Sequence, residues 1–143
     1  MKKILVYPLV FLLGCAGGSL APPSTFEVKI LAQTAVAMGI HSQDMTLTQI
    51  EALRVILGDA RGIVQLAIVE DPSTVEPITL GIADLLDPVY AAATKGMLQL
   101  MIIRIRPYLQ EGGDLKLAAK YIDAVFDGSI LACTQALRKK EAA

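Results

Sequence analysis

The single histidine of this 143-residue chain, His41, stands beside Ser42 and Asp44. Those are the residue types of a nucleophilic triad, in which histidine takes the serine proton and a carboxylate orients the imidazole. A triad is an arrangement in space, and three neighbours along one polar segment do not supply it. Zinc fails on number, because one histidine and the spare Cys133 fall short of the usual ligand count. Carboxylates come close together at Glu70-Asp71 and again at Asp84 and Asp87, which share a helical face. Paired carboxylates can cleave glycosides, but the chain has no tryptophan and only three phenylalanines to form a sugar platform. Asp87, just before Pro88, suits a helix cap. Arg104, Arg106, Lys116 and Lys120 flank Gly112-Gly113 and could bind a phosphate or lipid headgroup across that turn. Arg104 and Arg106 are two apart and do not share a helix face, so solvated helix ends are the simpler expectation. No catalytic constellation, metal site or cofactor is expected, and the chain reads as a non-enzyme.

The clearest chemical spacing surrounds the other cysteine. Met1-Lys2-Lys3 is positively charged, Ile4 to Leu13 is apolar apart from the Tyr7-Pro8 interruption, and Leu12-Leu13-Gly14-Cys15 closes the segment. Positive charge, apolar run and small-residue boundary are the parts of a secretion signal. The apolar run is half the roughly twenty residues that a spanning helix needs. Its end resembles the lipobox of bacterial lipoproteins, with Leu12 at −3, Leu13 at −2, Gly14 at −1 and Cys15 as the lipidated residue. The resemblance implies that residues 1–14 are removed and that Cys15 carries a diacylglycerol thioether and a further acyl chain. More than one chain gives stable anchoring. Ala16 follows, where an aspartate would favour inner-membrane retention, so the implied location is the periplasmic face of the outer membrane. Residues 16–24, Ala-Gly-Gly-Ser-Leu-Ala-Pro-Pro-Ser, then form a flexible tether that the proline pair stiffens locally.

About 120 residues remain, the size of one domain. Without Lys2 and Lys3 the chain has 11 basic and 14 acidic residues, a net charge of −3. No basic excess points to nucleic acid, and no polybasic segment follows the anchor. With Cys15 spent on lipid, Cys133 has no internal partner. It is expected to be a small buried hydrophobe, with an intermolecular disulfide as the sharper alternative.

The elements that must hold these groups are helical. Ser24-Thr25 caps a first helix from Phe26 to about Gly39, with Gly39 as its stop and His41–Asp44 as a polar loop. Thr46 and Thr48 are candidate caps for the second, Thr48 having Glu51 at capping-box spacing. Ile50, Leu53, Leu57, Ala60, Val64 and Ala67 follow in a heptad-like seam, and Gly58 and Gly62 are expected to admit a neighbouring helix closely. Pro72 ends the pattern. Ser73 and Glu76 suggest a capping box for a short third helix with Ile78, Ile82, Leu85 and Leu86 on its apolar side. A fourth runs from Pro88 to about Ile105. It is apolar almost all round at Met97–Ile103 and is therefore expected to be the central, most buried helix. Glu111-Gly112-Gly113 turns the chain. Asp114 caps the last helix, whose seam is Ala118, Ile122, Val125, Ser129, Ala132 and Ala136, widened by Tyr121, Phe126, Ile130 and Leu137. The expected fold is all-α: one five-helix, mostly up-and-down bundle over residues 25–143.

A composition of 54% hydrophobic residues and a mean hydropathy of +0.54 suggest more apolar surface than so small a domain buries. The surplus is expected at a groove or dimer face, with Met97, Leu98, Met101 and Ile102 as the candidate partner or ligand groove. Two functions follow as expectations. One is a membrane-anchored adaptor or exclusion factor that binds a protein partner, with homo-oligomerisation open. The other is a helical carrier of a small apolar ligand or lipid held around Met97–Ile103.

Overall fold

Helix α1, Thr25–Ser42, starts where Ser24 and Glu27 cap each other. The Ser24 hydroxyl accepts from the Glu27 amide at 3.2 Å, and the Glu27 carboxylate accepts from the Ser24 amide at 3.1 Å. This is a computed structural model, and it describes residues 24–86 and 88–142. Cys15, the rest of the lipobox-like stretch, the expected tether up to Pro23, and the expected cap Asp87 lie outside the described residues.

α1 does not stop at Gly39. It continues through His41 and Ser42, and Asp44 adopts the left-handed backbone at φ 48°. Aspartate tolerates that conformation better than most residues, so the reversal falls five residues later than glycine suggested. Helix α2, Leu47–Glu70, is capped by Thr46 with Gln49, not by Thr48 with Glu51. Glu51 instead pairs with Arg54 at 2.6 Å. The α2 seam is as expected: Ile50, Leu53, Leu57, Ala60, Val64 and Ala67 are all buried. Asp71 accepts from the Ser73 amide and opens a 3₁₀ turn, Pro72–Thr74, and α3, Val75–Leu85, follows. The fully buried positions are Val75, Thr79 and Ala83; of the expected apolar side Ile78 and Ile82 pack against the core and Leu86 is buried, while Leu85 is 88% exposed. The expected Ser73–Glu76 box is absent, as Ser73 lies inside the 3₁₀ turn.

Helix α4, Pro88–Leu109, carries Pro107 inside its last turn and runs past Ile105. Gly112, at φ 79°, makes the turn. Asp114 then accepts from the Leu117 amide at 3.0 Å and caps α5, Leu115–Ala142.

The helix order can be read from paired contacts. Arg61 meets Asp127 while Gln65 meets Asp123 and the Ala119 carbonyl, so α2 and α5 are antiparallel. Glu76 meets Arg106 and Asp84 meets Lys95, so α3 and α4 are antiparallel. Lys29 and Ala32 lie against Gly128, and Gln33 meets Gln135, so α1 and α5 are parallel. The described residues thus form an up-and-down bundle of five α-helices and no strands.

The central helix is α5, not α4. It packs on α1, α2 and α4, with α1 as its broadest partner. The reason is side-chain size. Ala118, Ala124, Gly128, Ser129 and Ala132 are all buried and small, so three neighbours can approach. α4 carries bulkier side chains, and Ile103 is left 56% exposed. The glycine roles change places as well. A Cβ on Gly58 or Gly62 meets nothing within 4 Å, because both sit off the buried seam. A Cβ on Gly128 collides with the Lys29 carbonyl and lies 3.1 Å from the Ala32 Cβ and the Gln33 nitrogen.

Opposite outcomes are expected for the same substitution. Gly58→Ala and Gly62→Ala gain up to about 1 kcal/mol of helix propensity each. Gly128→Ala is destabilising by about 1–3 kcal/mol, because overpacking outweighs propensity. Urea denaturation of the three variants checks the signs.

Candidate functional site

The polar groups raised by the sequence are occupied by local structure. His41 sits exposed in the last turn of α1. The Ser42 hydroxyl donates to the Gly39 carbonyl at 3.2 Å. Its proton is therefore committed to the helix end and not directed at an imidazole. Asp44 follows in the reversal, its amide donating to the His41 carbonyl. Of the carboxylate pairs, Asp71 accepts from the Ser73 amide and hydroxyl, at 3.1 and 2.6 Å. Asp84 pairs with Lys95 at 3.1 Å.

Of the four bases, Arg106 is committed to a carboxylate. Arg106 reaches across to α3 and grips both carboxylate oxygens of Glu76, at 3.1 and 2.5 Å. That hydrogen bond and charge raise its pKa further. Lys116 and Lys120 are exposed on the first turns of α5. Near them Tyr108 and Tyr121 stack with ring centroids 6.1 Å apart. Burial, aided by Tyr108 and opposed by Arg104, raises the pKa of Tyr121.

One polar cluster was not anticipated. Arg61 binds Asp123 through Nε at 3.1 Å and Asp127 through Nη1 at 2.5 Å, while Gln65 donates to Asp123 at 2.9 Å. Two i,i+4 pairs, Arg61/Gln65 and Asp123/Asp127, interlock across the α2–α5 contact. Their side chains are about two-fifths exposed where charged, and exposed pairs of this kind contribute about 0.2–1 kcal/mol each. The cluster fixes the register of two helices. Among the described residues no group of three or more His, Cys, Asp or Glu is placed to hold a metal ion.

Met97, Leu98, Met101 and Ile102 are all buried in the core with Ile105. They therefore do not line an open groove. Side chains of this size fill the contact of α4 with its neighbours, which is why the apolar excess at these positions does not surface. A cavity of about 10 Å³ lies elsewhere, among Val36, Gly39, Ile40, Met45, Leu53, Tyr90 and Thr94. That is room for about one water molecule.

The surplus apolar surface lies on other faces. The outer side of α2 presents Val55, Ile63, Leu66 and Val69, the last 81% exposed, around the open backbone of Gly58 and Gly62. α1 presents Phe26 and Ile30, four residues apart. Helix α2 thus has two apolar sides, its seam toward α5 and a ridge toward solvent. A signal was available: Val55, Gly58, Gly62, Leu66 and Val69 recur at 3–4 residue spacing, offset from the seam.

Cys133 is fully buried, and burial pushes its thiol up to about 12. The small-hydrophobe expectation holds, and a disulfide to another molecule would require the helix to leave the core. Thr79 is also fully buried, and its hydroxyl has no hydrogen-bond partner.

Neither a protein-family model, nor a curated protein, nor a solved structure matches the chain. Among the described residues no helix is long and apolar enough to cross a membrane.

Two measurements follow from the buried groups. Thr79→Val keeps the side-chain shape and removes the unpaired hydroxyl, so it is expected to stabilise the fold by about 1 kcal/mol in urea denaturation. The Cys133 thiol is expected to resist aromatic-disulfide reagents at neutral pH until denaturant is added. Because the folded thiol holds its proton longer than the unfolded one, stability falls as pH rises from about 9 toward 12. Rapid labelling of the native chain at Cys133 would contradict the packing.

Proposed function

We propose that the chain is a lipoprotein, anchored through Cys15 to the periplasmic face of a bacterial membrane, whose helical bundle binds a protein partner without catalysing a reaction. The observation that carries the partner-binding half is the two-sided α2. Its seam is fully used by the core, yet Val55, Ile63, Leu66 and Val69 remain exposed on the opposite side. Exposed apolar patches of a few hundred Å² on a small protein commonly mark interaction surfaces. The exposed acidic residues Asp59 and Glu70 belong to the same helix, which favours a partner segment with apolar side chains set between basic ones. The anchoring half is supported by the lipobox-like Leu12-Leu13-Gly14-Cys15 after an apolar run. An outer-membrane address follows from Ala16 on the same resemblance, and an adaptor or exclusion factor is the functional class. The carrier reading receives less support, since Met97, Leu98, Met101 and Ile102 are packed into the core and the cavity between Val36 and Thr94 accommodates about one water.

Intact mass of the membrane-fraction protein tests the anchor. The expected species begins at Cys15 and carries added acyl mass, and Cys15→Ala loses both the cleavage and the added mass. An unmodified chain that still begins at Met1 overturns the lipoprotein reading.

A further inference from the structure

Helix α1 has an unusual surface for an outer helix. In eighteen residues it contains two charges, Glu27 and Lys29, and one histidine, His41. Its buried side is Ala32, Ala35, Val36 and Ile40, which face α5 and α4. Its exposed side reads Phe26, Ile30, Thr34, Ala37 and His41, with Phe26 71% and Ile30 44% exposed. Glu27, the acid nearest this stripe, is held back in the helix cap by the Ser24 amide. A helix that is apolar on nearly every side is ordinarily covered on every side, and here the outer side is open.

The chain that leads into α1 limits what can cover it. Ser24 follows Cys15 by nine positions. Nine residues, even fully extended, reach only about 30 Å. Phe26 and Ile30 lie in the first two turns beyond it. If Cys15 is lipidated, no other apolar side chains on the described surface are held so close to a bilayer by covalent connection. The ridge on α2 is a poorer match for lipid, since Asp59 and Glu70 on that helix meet anionic headgroups unfavourably.

We propose that the outer face of α1, led by Phe26 and Ile30, rests in the headgroup region of the membrane to which Cys15 is anchored. This inference rests on the lipoprotein reading above. It gives the bundle a fixed attitude on the membrane, with α1 lying against the lipid. Aromatic and branched aliphatic side chains at the boundary, with a lysine beside them, are the composition by which interfacial helices hold to a bilayer.

The chain has no tryptophan, so a single introduced indole reports its own surroundings. Phe26→Trp is placed in the full-length gene, and the mature protein is purified and reconstituted into phosphatidylcholine–phosphatidylglycerol vesicles, with or without bromine on the acyl chains. Val69→Trp, on the outer face of α2, is the comparison. Intact mass first establishes the acyl groups on Cys15. The expected result is a blue-shifted Phe26→Trp emission that brominated lipid quenches severalfold more than it quenches Val69→Trp. Acylated protein whose Phe26→Trp emission is unquenched overturns the inference and leaves the lipoprotein reading standing. A blue shift without bromine quenching, together with a doubled mass in sedimentation, assigns the face to a second copy and also overturns it. A chain without acyl mass removes both readings together.

Discussion

The bundle is organised around the close approach of α1 to α5 at Gly128. No side chain larger than hydrogen fits there, because a Cβ would strike the Lys29 carbonyl. That contact sets the first and last helices side by side in the same direction, with Gln33 and Gln135 bonded farther along. Once these two are fixed, α2 and α4 take the remaining sides of α5, and α3 fills in against α4. Bulky side chains can then gather where the helices diverge: Phe126, Ile122 and Ile105 are fully buried. The small residues of α5 matter for the distance they permit more than for the area they bury.

This arrangement explains where the excess hydrophobicity goes. α5 packs on three neighbours and buries Ile122, Val125, Phe126 and Ala132 against them. α1 and α2 each have an outward side that no described element covers, and on both helices that side remains apolar. The two faces differ in charge. α1 offers almost none, and α2 carries Asp59 and Glu70 beside the Glu51–Arg54 pair. A nearly neutral face on the first described helix and an acidic-flanked face on the second are the two surfaces to which the proposals above assign lipid and protein.

Much of the fold was legible because the long helices repeat a pattern. The α2 seam from Ile50 to Ala67 extends over five turns, and an error of one residue would have broken it. The short α3 offered too few repeats. Of its expected apolar side, Ile78 and Ile82 pack against the core and Leu86 is buried, while Leu85 is exposed; the 3₁₀ turn that sets the phase at Val75 left no mark beyond Asp71-Pro72. The centrality of α5 was hidden because hydrophobicity reports what wants to be buried and not how closely neighbours can come. Gly58 and Gly62 misled for a related reason. Each is one or two positions off the seam, and a glycine off the seam faces water. The Arg61–Asp123–Asp127 cluster needs knowledge of which helices adjoin, which one-dimensional spacing does not contain. The lipobox-like stretch Leu12–Cys15 lies outside the described residues, so the proposal of an anchor rests there on sequence alone.

The burial of Cys133 has a practical consequence. With its thiol sealed in the core and Cys15 occupied by lipid in the proposed mature form, the protein presents a silent background to thiol chemistry. It would reach its native state without help from the oxidative folding machinery, and it would be indifferent to changes in redox poise. Any cysteine introduced on its surface would then be the one site that a spin label, fluorophore or photocrosslinker finds. The orientation of the bundle and the identity of what it touches could thus be mapped one residue at a time, on the protein in its own membrane.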